Sequence, residues 1–487
     1  MNRAEIIGQK FLDNHGYEHT VTKILGEGGQ GMVCLTETPG YVLKFVLDDK
    51  GSLLSKEKND VAFKYYNAVF KNINHLPIKN NDHIAIPVAV LTDYIGYVMR
   101  LMEDMDTMEN ILCGAPDTYS VTGGHRHRLE LLSKCASILA TIHSKGMVYC
   151  DLHSENVFVT KDIKSKNQNV WFIDTDNLFY PSKNGYKKLV GKPRYAAPEI
   201  VYLLGKESDE SCTQNSDLYS FAVMAYECLS MIHPFAGETA INGENSDDDW
   251  DSGWDTSSEE DDDISGIDPQ YSGKYSWVND PDNTNTTSAG FPWKFFLTQE
   301  LFNLFQQTFG EGRQTPTLRP TAYFWQKALA NASDVSVECP CCSMSFIYEF
   351  NKKSCPYCHE KLPMMIKMET ENRECFTREL LWKENSSVSN EIEIPERIFL
   401  PFDSKFNSIS AIRVTASKDG ERIAVTLKKS ENVYFSDNLQ INIVQNETTT
   451  PLLGALTIVM TNNESFFILT KFRDCPEKRV KFSLEAN

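Results

Sequence analysis

Tyr149-Cys150-Asp151-Leu152-His153-Ser154-Glu155-Asn156, followed after Asn169-Val170-Trp171-Phe172-Ile173 by Asp174-Thr175-Asp176, is the stretch on which the fold turns. A carboxylate precedes an amide by five residues, and a second carboxylate ends a β-like run. Transfer of a phosphoryl group to a hydroxyl needs just these oxygen groups, as a proton acceptor and as ligands for a divalent metal. In this reading Asp151 orients or deprotonates the acceptor, while Asn156 and Asp174 hold the Mg2+ (or Mn2+) that neutralises the phosphates of ATP. An Asp-x4-Asn pair is common by chance, so the order of the surrounding motifs decides.

Upstream, Val21 to Leu35 reads as strand, turn and strand, the turn being Gly26-Glu27-Gly28-Gly29-Gln30-Gly31 with Met32-Val33 behind it. Glycines there let backbone amides close over phosphates. In a Rossmann domain the same spacing would open a helix, and the next element separates the two readings. Tyr41-Val42-Leu43-Lys44-Phe45-Val46 is a β-pattern with one lysine in an apolar run, costly to bury unless the ammonium meets an anion. Leu129, Leu132, Ala136, Leu139 and Ile142 have helical spacing and predict the core helix that leads into the Asp151 loop, with His143 closing it.

Taken in order, Gly26 to Gly31, Lys44, Asp151 with Asn156, Asp174 and Ala197-Pro198-Glu199 resemble the eukaryotic-type (Hanks-type) protein kinase family over roughly residues 20–330. Ser216-Asp217-Leu218-Tyr219-Ser220-Phe221, His233-Pro234-Phe235 and Arg319-Pro320 extend the resemblance. It implies an α+β bilobal fold: a β-rich N-lobe over 1–99, a hinge near Arg100–Met105, a helical C-lobe over 100–332, and nucleotide between the lobes. The implied reaction is ATP- and Mg2+-dependent transfer of the γ-phosphate to serine or threonine hydroxyls of a protein substrate. Gly26, Glu27, Gly28, Gly29, Gln30, Gly31, Val33 and Lys44 would grip the nucleotide, Asp217 would brace the catalytic loop, and Arg319 would pair with Glu199. The family's lysine pairs with a helix glutamate, and Glu57 is the candidate, being the only glutamate between Lys44 and Glu103. Its spacing is shorter than the family's habit, so either the connection is trimmed or the ion pair is absent.

Three departures qualify the resemblance. Tyr149-Cys150 replaces His-Arg, which removes the arginine that binds an activation-loop phosphate and predicts independence from phosphorylation at Tyr180, Ser182 or Tyr186. His153 stands where serine/threonine kinases carry a lysine for the transferring phosphate, and Lys192 in Gly191-Lys192-Pro193 is the candidate replacement. Asp174-Thr175-Asp176 replaces Asp-Phe-Gly, leaving Asp176 either at the metal or capping the turn. The alternatives to a protein serine/threonine kinase are a nucleotide-binding pseudokinase scaffold and a small-molecule kinase. Ala197-Pro198-Glu199 and Asp217 weigh against the latter.

Beyond this region Cys339, Cys342, Cys355 and Cys358 form C-x2-C-x12-C-x2-C, two knuckles able to close four thiolates around one structural zinc. Cys341 could replace Cys339 or Cys342, His359 is a weaker substitute, and a redox-active pair is the rival reading. The ribbon is expected over 333–365 and a linker over 366–395. An all-β sandwich-like domain over 396–487 follows from Ile412–Val414, Ile423–Leu427, Leu439–Val444, Leu456–Met460, Phe466–Leu469 and Val480–Phe482, with an interaction, regulatory or packing role. A kinase region followed by a zinc ribbon resembles bacterial kinases found beside phosphatases of the PP2C type and von Willebrand A-domain proteins, which suggests such partners.

The 487 residues leave room for several domains, and a net charge of −19 argues against broad binding to nucleic acid or anionic membrane. Much of the acid lies in an insertion over about 243–268, expected to be a disordered, solvated loop or else a docking strip for a basic partner. Thirteen cysteines, mostly scattered singly, favour metal over disulfides. No signal peptide and no apolar run near the ~20 residues of a membrane span are found, so a cytoplasmic location is expected.

Overall fold

Short alternating runs of apolar residues at the start of the chain pair into an antiparallel sheet. In the computed structural model these are β1 (Lys10–Leu12), β2 (Glu18–Gly28), β3 (Gly31–Thr36), β4 (Tyr41–Val46), β5 (Ala89–Val90) and β6 (Gly96–Arg100), in the order β1-β2-β3-β4-β6-β5. The described residues are 5–485 without 29–30, 49, 79–81, 114–117, 166, 182–187, 207, 243–266, 283, 350–351, 372–374, 384–385, 401–409, 420–421, 431–437 and 462–463. Gly29, Gln30, Ser182, Tyr186 and nearly all of the acidic insertion therefore lie outside them. Gly28 pairs with Gly31 at the hairpin tip, and a Cβ on Gly31 would sit 2.9 Å from the Phe45 carbonyl oxygen, so a side chain there would push β3 off β4. Helix α1 (Asp60–Asn74) packs Phe63 and Phe70 against Val46, Val90, Ile95 and Tyr97 of the sheet.

The second lobe is helical: α2 (Met108–Leu112), α3 (Gly124–Ser144), α4 (Pro198–Val201), α5 (Gln214–Ser230), α6 (Glu238–Asn242), α7 (Gln299–Phe309), α8 (Glu311–Gln314) and α9 (Ala322–Asp334). Leu129, Leu132, Ala136, Leu139 and Ile142 of α3 are fully buried, as their spacing predicts. Helix α5 is buried all round from Ser216 to Ser230, which makes it the lobe's central rod. A small sheet, β7 (Met105–Thr107), β8 (Val157–Thr160) and β9 (Val170–Phe172), frames the loops that carry Asp151 and Asp174. Among the described residues no helix is long and apolar enough to cross a membrane.

From α9 the chain runs directly into the hairpin β10 (Ser336–Glu338) and β11 (Ser345–Ile347). The remaining strands are β12 (Met364–Thr370), β13 (Cys375–Leu380), β14 (Ile392–Pro395), β15 (Ser410–Asp419), β16 (Arg422–Lys429), β17 (Leu439–Gln445), β18 (Thr448–Pro451), β19 (Ala455–Met460), β20 (Ser465–Phe472) and β21 (Lys478–Glu485). They form two sheets, β13-β12-β21-β20-β17-β18 and β14-β15-β16-β19, closed over one apolar core. All six alternating runs foreseen in the tail are strands of this sandwich.

The expected linker over 366–395 is not a linker. Strands β12, β13 and β14 occupy much of it, and β12 pairs with β21 from Met365↔Glu485 to Thr370↔Val480. Ile366, Met368 and Phe376 project into the sandwich core, but the charged residues interleaved with them disguise the pattern. The tail is also docked on the helical lobe. Both Arg126 guanidinium nitrogens clamp the Glu379 carboxylate at 2.8 and 2.6 Å, and Arg397 grips the buried Asp334 at the end of α9.

Candidate functional site

The loop before Asp151 is held from below. Buried Asp217, near the start of α5, accepts hydrogen bonds from the Tyr149 amide and the Cys150 amide, each at 2.8 Å, and faces His143 Nε2 at 3.0 Å. Cys150 takes a left-handed φ of 74°, which turns the chain so that Asp151 enters the cleft. On the far side, Arg319 holds Glu199 bidentately at 2.6 and 2.7 Å, tying the start of α4 to the loop before α9. Asp217 thus fixes the loop that leads into Asp151, and Arg319 fixes the start of α4 at Glu199.

Asn156 donates to the Asp151 carbonyl at 2.8 Å and lies 3.4 Å from its carboxylate, while its own carbonyl accepts from the Ile173 amide at 2.9 Å. That last bond places Asp174, the next residue, beside Asn156. Burial disfavours charge on Asp151, but the His153 ring, the Lys192 charge and the Asn156 amide outweigh it and hold the carboxyl below its usual range. Asp174 goes the other way: burial and neighbouring carboxylates raise it despite Lys44.

Lys44 crosses from the sheet to the metal loop. Val33 and Lys44 are cross-strand partners, so the glycine hairpin and the lysine move as one unit. The ammonium meets Asp174 and, at 2.9 Å, Asp176; burial would lower its pKa, but Tyr97, Asp176 and Asp174 together raise it well above the lysine norm.

Glu57 is not the partner of Lys44. It is exposed in the turn ahead of α1, among Ser55, Lys56, Asp60, Asp93 and Tyr94. Helix α1 contains no glutamate, and the lysine's anion comes from Asp176 of the metal loop instead. Asp176 thus does more than cap a turn. Tyr97, missed in the sequence reading, is fully buried beneath Lys44 and beside Asp176; burial and that carboxylate push its phenol pKa well up.

Two more expectations change. His153 is buried, its Nε2 3.7 Å from the Asp151 carboxylate and its ring stacked on Tyr195, so it supports Asp151 without replacing a phosphate-binding lysine. Lys192 is half-exposed and pairs with Glu155 at 2.5 Å, on the rim. A further lysine, Lys188, reaches the metal loop, where its Nζ donates to the Asp176 carbonyl at 2.5 Å. Nothing in the local sequence marks Lys188; only the path of the chain brings it in.

For a divalent cation the donor chemistry fits. Magnesium is usually held by one or two carboxylates together with substrate phosphates, and Asn156 and Asp174 supply oxygens on one side of the cleft. Asp176 Oδ1 is buried without a hydrogen-bond partner, a further spare oxygen beside them.

The cysteine cluster is a separate site. The sulfurs of Cys339, Cys342, Cys355 and Cys358 all lie within 4.8 Å of one another, with Cys339–Cys358 at 3.6 Å and Cys342–Cys355 at 3.7 Å. Thiolates at ~2.3 Å from a tetrahedral zinc would be about 3.8 Å apart, so the cage has the right size. Each knuckle closes alike, Ser343 N bonding to Cys339 O at 2.8 Å and His359 N to Cys355 O at 3.0 Å, with Ser343 and His359 both left-handed. His359 therefore closes a turn, and Cys341 is exposed outside the group of four.

The kinase-like region also has relatives among known proteins. A family model described as "Protein kinase domain" matches residues 20–267, slightly more than half of the chain. Serine/threonine-protein kinase pkn2 of Myxococcus xanthus is 35% identical over 118 residues, 23% of this chain and 14% of pkn2. Protein kinase C delta type of Rattus norvegicus is 28% identical over 230 residues, 45% of this chain and 30% of that protein. Serine/threonine-protein kinase PAK 5 of the same organism is 23% identical over 220 residues, 45% of this chain and 27% of the relative. The chain thus spans less than a third of the length of each of these proteins.

Proposed function

The chain belongs to the protein kinase family, and from that premise we propose that it transfers the γ-phosphate of ATP to serine or threonine hydroxyls of a protein substrate, with magnesium. One observation carries the reading: Lys44, Asp151, Asn156 and Asp174, scattered over the sequence, converge on one cleft, with Lys44 already held on carboxylates. A scaffold would be free to lose any of them. Magnesium, when bound, would neutralise charge on the transferring phosphate, and Asn156 and Asp174 would hold it. Asp151, kept ionised by its surroundings, orients the acceptor hydroxyl and takes its proton, while Lys44 grips phosphate oxygens beneath the Gly26–Gly31 hairpin.

Because Cys150 stands in place of a phosphate-binding arginine, activity needs no activation-loop phosphate. The four-thiolate cage has no open position for water, so a zinc held there would be structural. The decisive assay follows transfer of labelled phosphate from ATP with magnesium to the chain itself or to a general protein substrate. Label on serine or threonine is expected, falling about 10²–10⁴-fold in Asp151→Asn. Equal labelling of the two proteins overturns the proposal.

A further inference from the structure

We propose that Lys188 is a catalytic residue of this chain, its ammonium contacting the γ-phosphate of bound ATP and supplying the charge that Lys192 was expected to bring. This rests on the phosphotransfer reading above and deepens it.

The segment that carries Lys188 is fastened to the loop ahead of α5. Lys188 N donates to Ser211 Oγ at 2.9 Å, Ser211 Oγ donates back to Lys188 O at 3.1 Å, and Cys212 N donates to Lys188 O at 2.8 Å. With the backbone fixed on both its donor and its acceptor, the half-buried side chain runs inward. Its Nζ ends on the Asp176 main-chain carbonyl; burial lowers its pKa below the lysine norm, although the Asp176, Asp174 and Asp151 carboxylates favour its charged form. It therefore ends at the loop that carries Asp174 and Asp176, the two carboxylates that hold Lys44.

The tie to Asp176 is to a neutral carbonyl and uses one of the three ammonium protons. The other two remain for anionic oxygens. Lys44 is already held by two carboxylates, and Lys192 stands half-exposed at the rim against Glu155. Among the described residues Lys188 is thus a half-buried cation with donors to spare beside the Asp174–Asp176 loop, within reach of the γ-phosphate of a nucleotide whose metal Asp174 would hold. In the transfer step the acceptor oxygen forms a bond to the γ-phosphorus, the bond from that phosphorus to the β,γ-bridging oxygen breaks, and the electron pair leaves with ADP. The hydroxyl proton passes to Asp151, and Lys188 donates to the equatorial oxygens of the moving group.

The test compares full-length chain with Lys188→Met, Lys188→Arg and Lys192→Met, reading steady-state transfer and the affinities of Mg·ATP and Mg·ADP by calorimetry. Lys188→Met is expected to lower kcat about 10²–10³-fold, the usual loss for one electrostatic donor. It should also erase most of the preference for ATP over ADP while leaving ADP affinity within about twofold. Lys188→Arg should recover part of both, and Lys192→Met should cost less than Lys188→Met. Unchanged kcat with an unchanged ATP/ADP ratio in Lys188→Met overturns the assignment, as does a larger loss in Lys192→Met. Should Lys188→Met melt early, Lys188→Arg decides alone: native kcat together with a native ATP/ADP ratio overturns the assignment, and a partial loss of both supports it. If the native chain binds Mg·ATP but transfers nothing, the kinase reading fails while the ATP/ADP ratio still decides Lys188. If it binds no nucleotide, both fall together.

Discussion

The cleft and the cysteine cage are both polar sites assembled from spaced motifs, yet the sequence spoke unequally about them. In the cage each knuckle's two ligands are separated by two residues and the knuckles share one short stretch, so local geometry leaves little freedom and the four expected sulfurs are the four that converge. In the cleft the groups lie on opposite lobes. The type of each residue was legible, but its partner was not: Lys44 meets Asp176 where Glu57 was expected, and Lys188, not foreseen at all, reaches the Asp176 carbonyl. Spacing determines pairings that one turn can close, whereas long-range pairings depend on how whole elements pack.

That contrast can be broken experimentally, beginning with the cage. Replacing Cys355 and Cys358 by serine should remove zinc, about one ion per chain, and with it metal-coupled folding of ~10–16 kcal/mol as judged from small zinc domains. Metal analysis and limited proteolysis should show the ribbon cut. Because Tyr357 Oη lies 2.9 Å from His125 Nε2 and packs on Phe295, the helical lobe should melt earlier too. A ribbon that resists protease without zinc would mean that packing against that lobe holds it.

In the cleft, Asp176→Asn should lower kcat by roughly a hundredfold, about 2.7 kcal/mol, because it strips a carboxylate from buried Lys44. Glu57→Gln should leave turnover within about twofold. The opposite ranking would restore the helix glutamate and remove Asp176 from its place. At the joint between lobe and tail, Glu379→Gln should cost about 1–2 kcal/mol by leaving the Arg126 guanidinium underpaired in a buried position. Adding Arg126→Met should then cost less than the two separate changes summed, and strict additivity would show that the clamp contributes nothing.

The smallest effect near neutrality concerns the histidines of the helical lobe. Burial lowers His127 to about 4 and His233 to about 3. For a base whose folded pKa lies below its unfolded value, stability is complete above about 6.5 and is lost as pH falls toward the folded pKa. Each should cost less than about 1 kcal/mol down to pH 6 and progressively more toward pH 4. Denaturant melts across pH, with His233→Gln flattening the slope, would test this. An unchanged slope would place the acid sensitivity elsewhere.

Much of the fold was readable because its cues are periodic. Alternation marked β2, β3, β4 and most strands of the sandwich, and the 3.6-residue spacing of Leu129 to Ile142 marked α3. Strands β12 to β14 escaped because charged residues such as Lys367, Glu369 and Arg378 interrupt their apolar positions, and β21, the partner of β12, lies at the other end of the tail. Asp176 was within reach, being a second carboxylate two residues past Asp174, since a buried lysine demands an anion and α1 offers no glutamate. Tyr97 and Lys188 carried no such mark, one being an ordinary strand aromatic and the other one lysine in an unremarkable segment.

By itself, then, the amino-acid order determined the family resemblance, the identity of the acid, amide and lysine of the cleft, and the four sulfurs of the cage. These depend on residue type at short range, which covalent spacing controls. Only the tertiary structure decided which carboxylate holds Lys44, which lysine reaches the Asp176 carbonyl, and that the supposed linker belongs to a sandwich clamped on α9. Such choices are made when lobes and sheets pack, because a buried charge settles on whichever opposite charge the packed backbone brings within hydrogen-bonding distance.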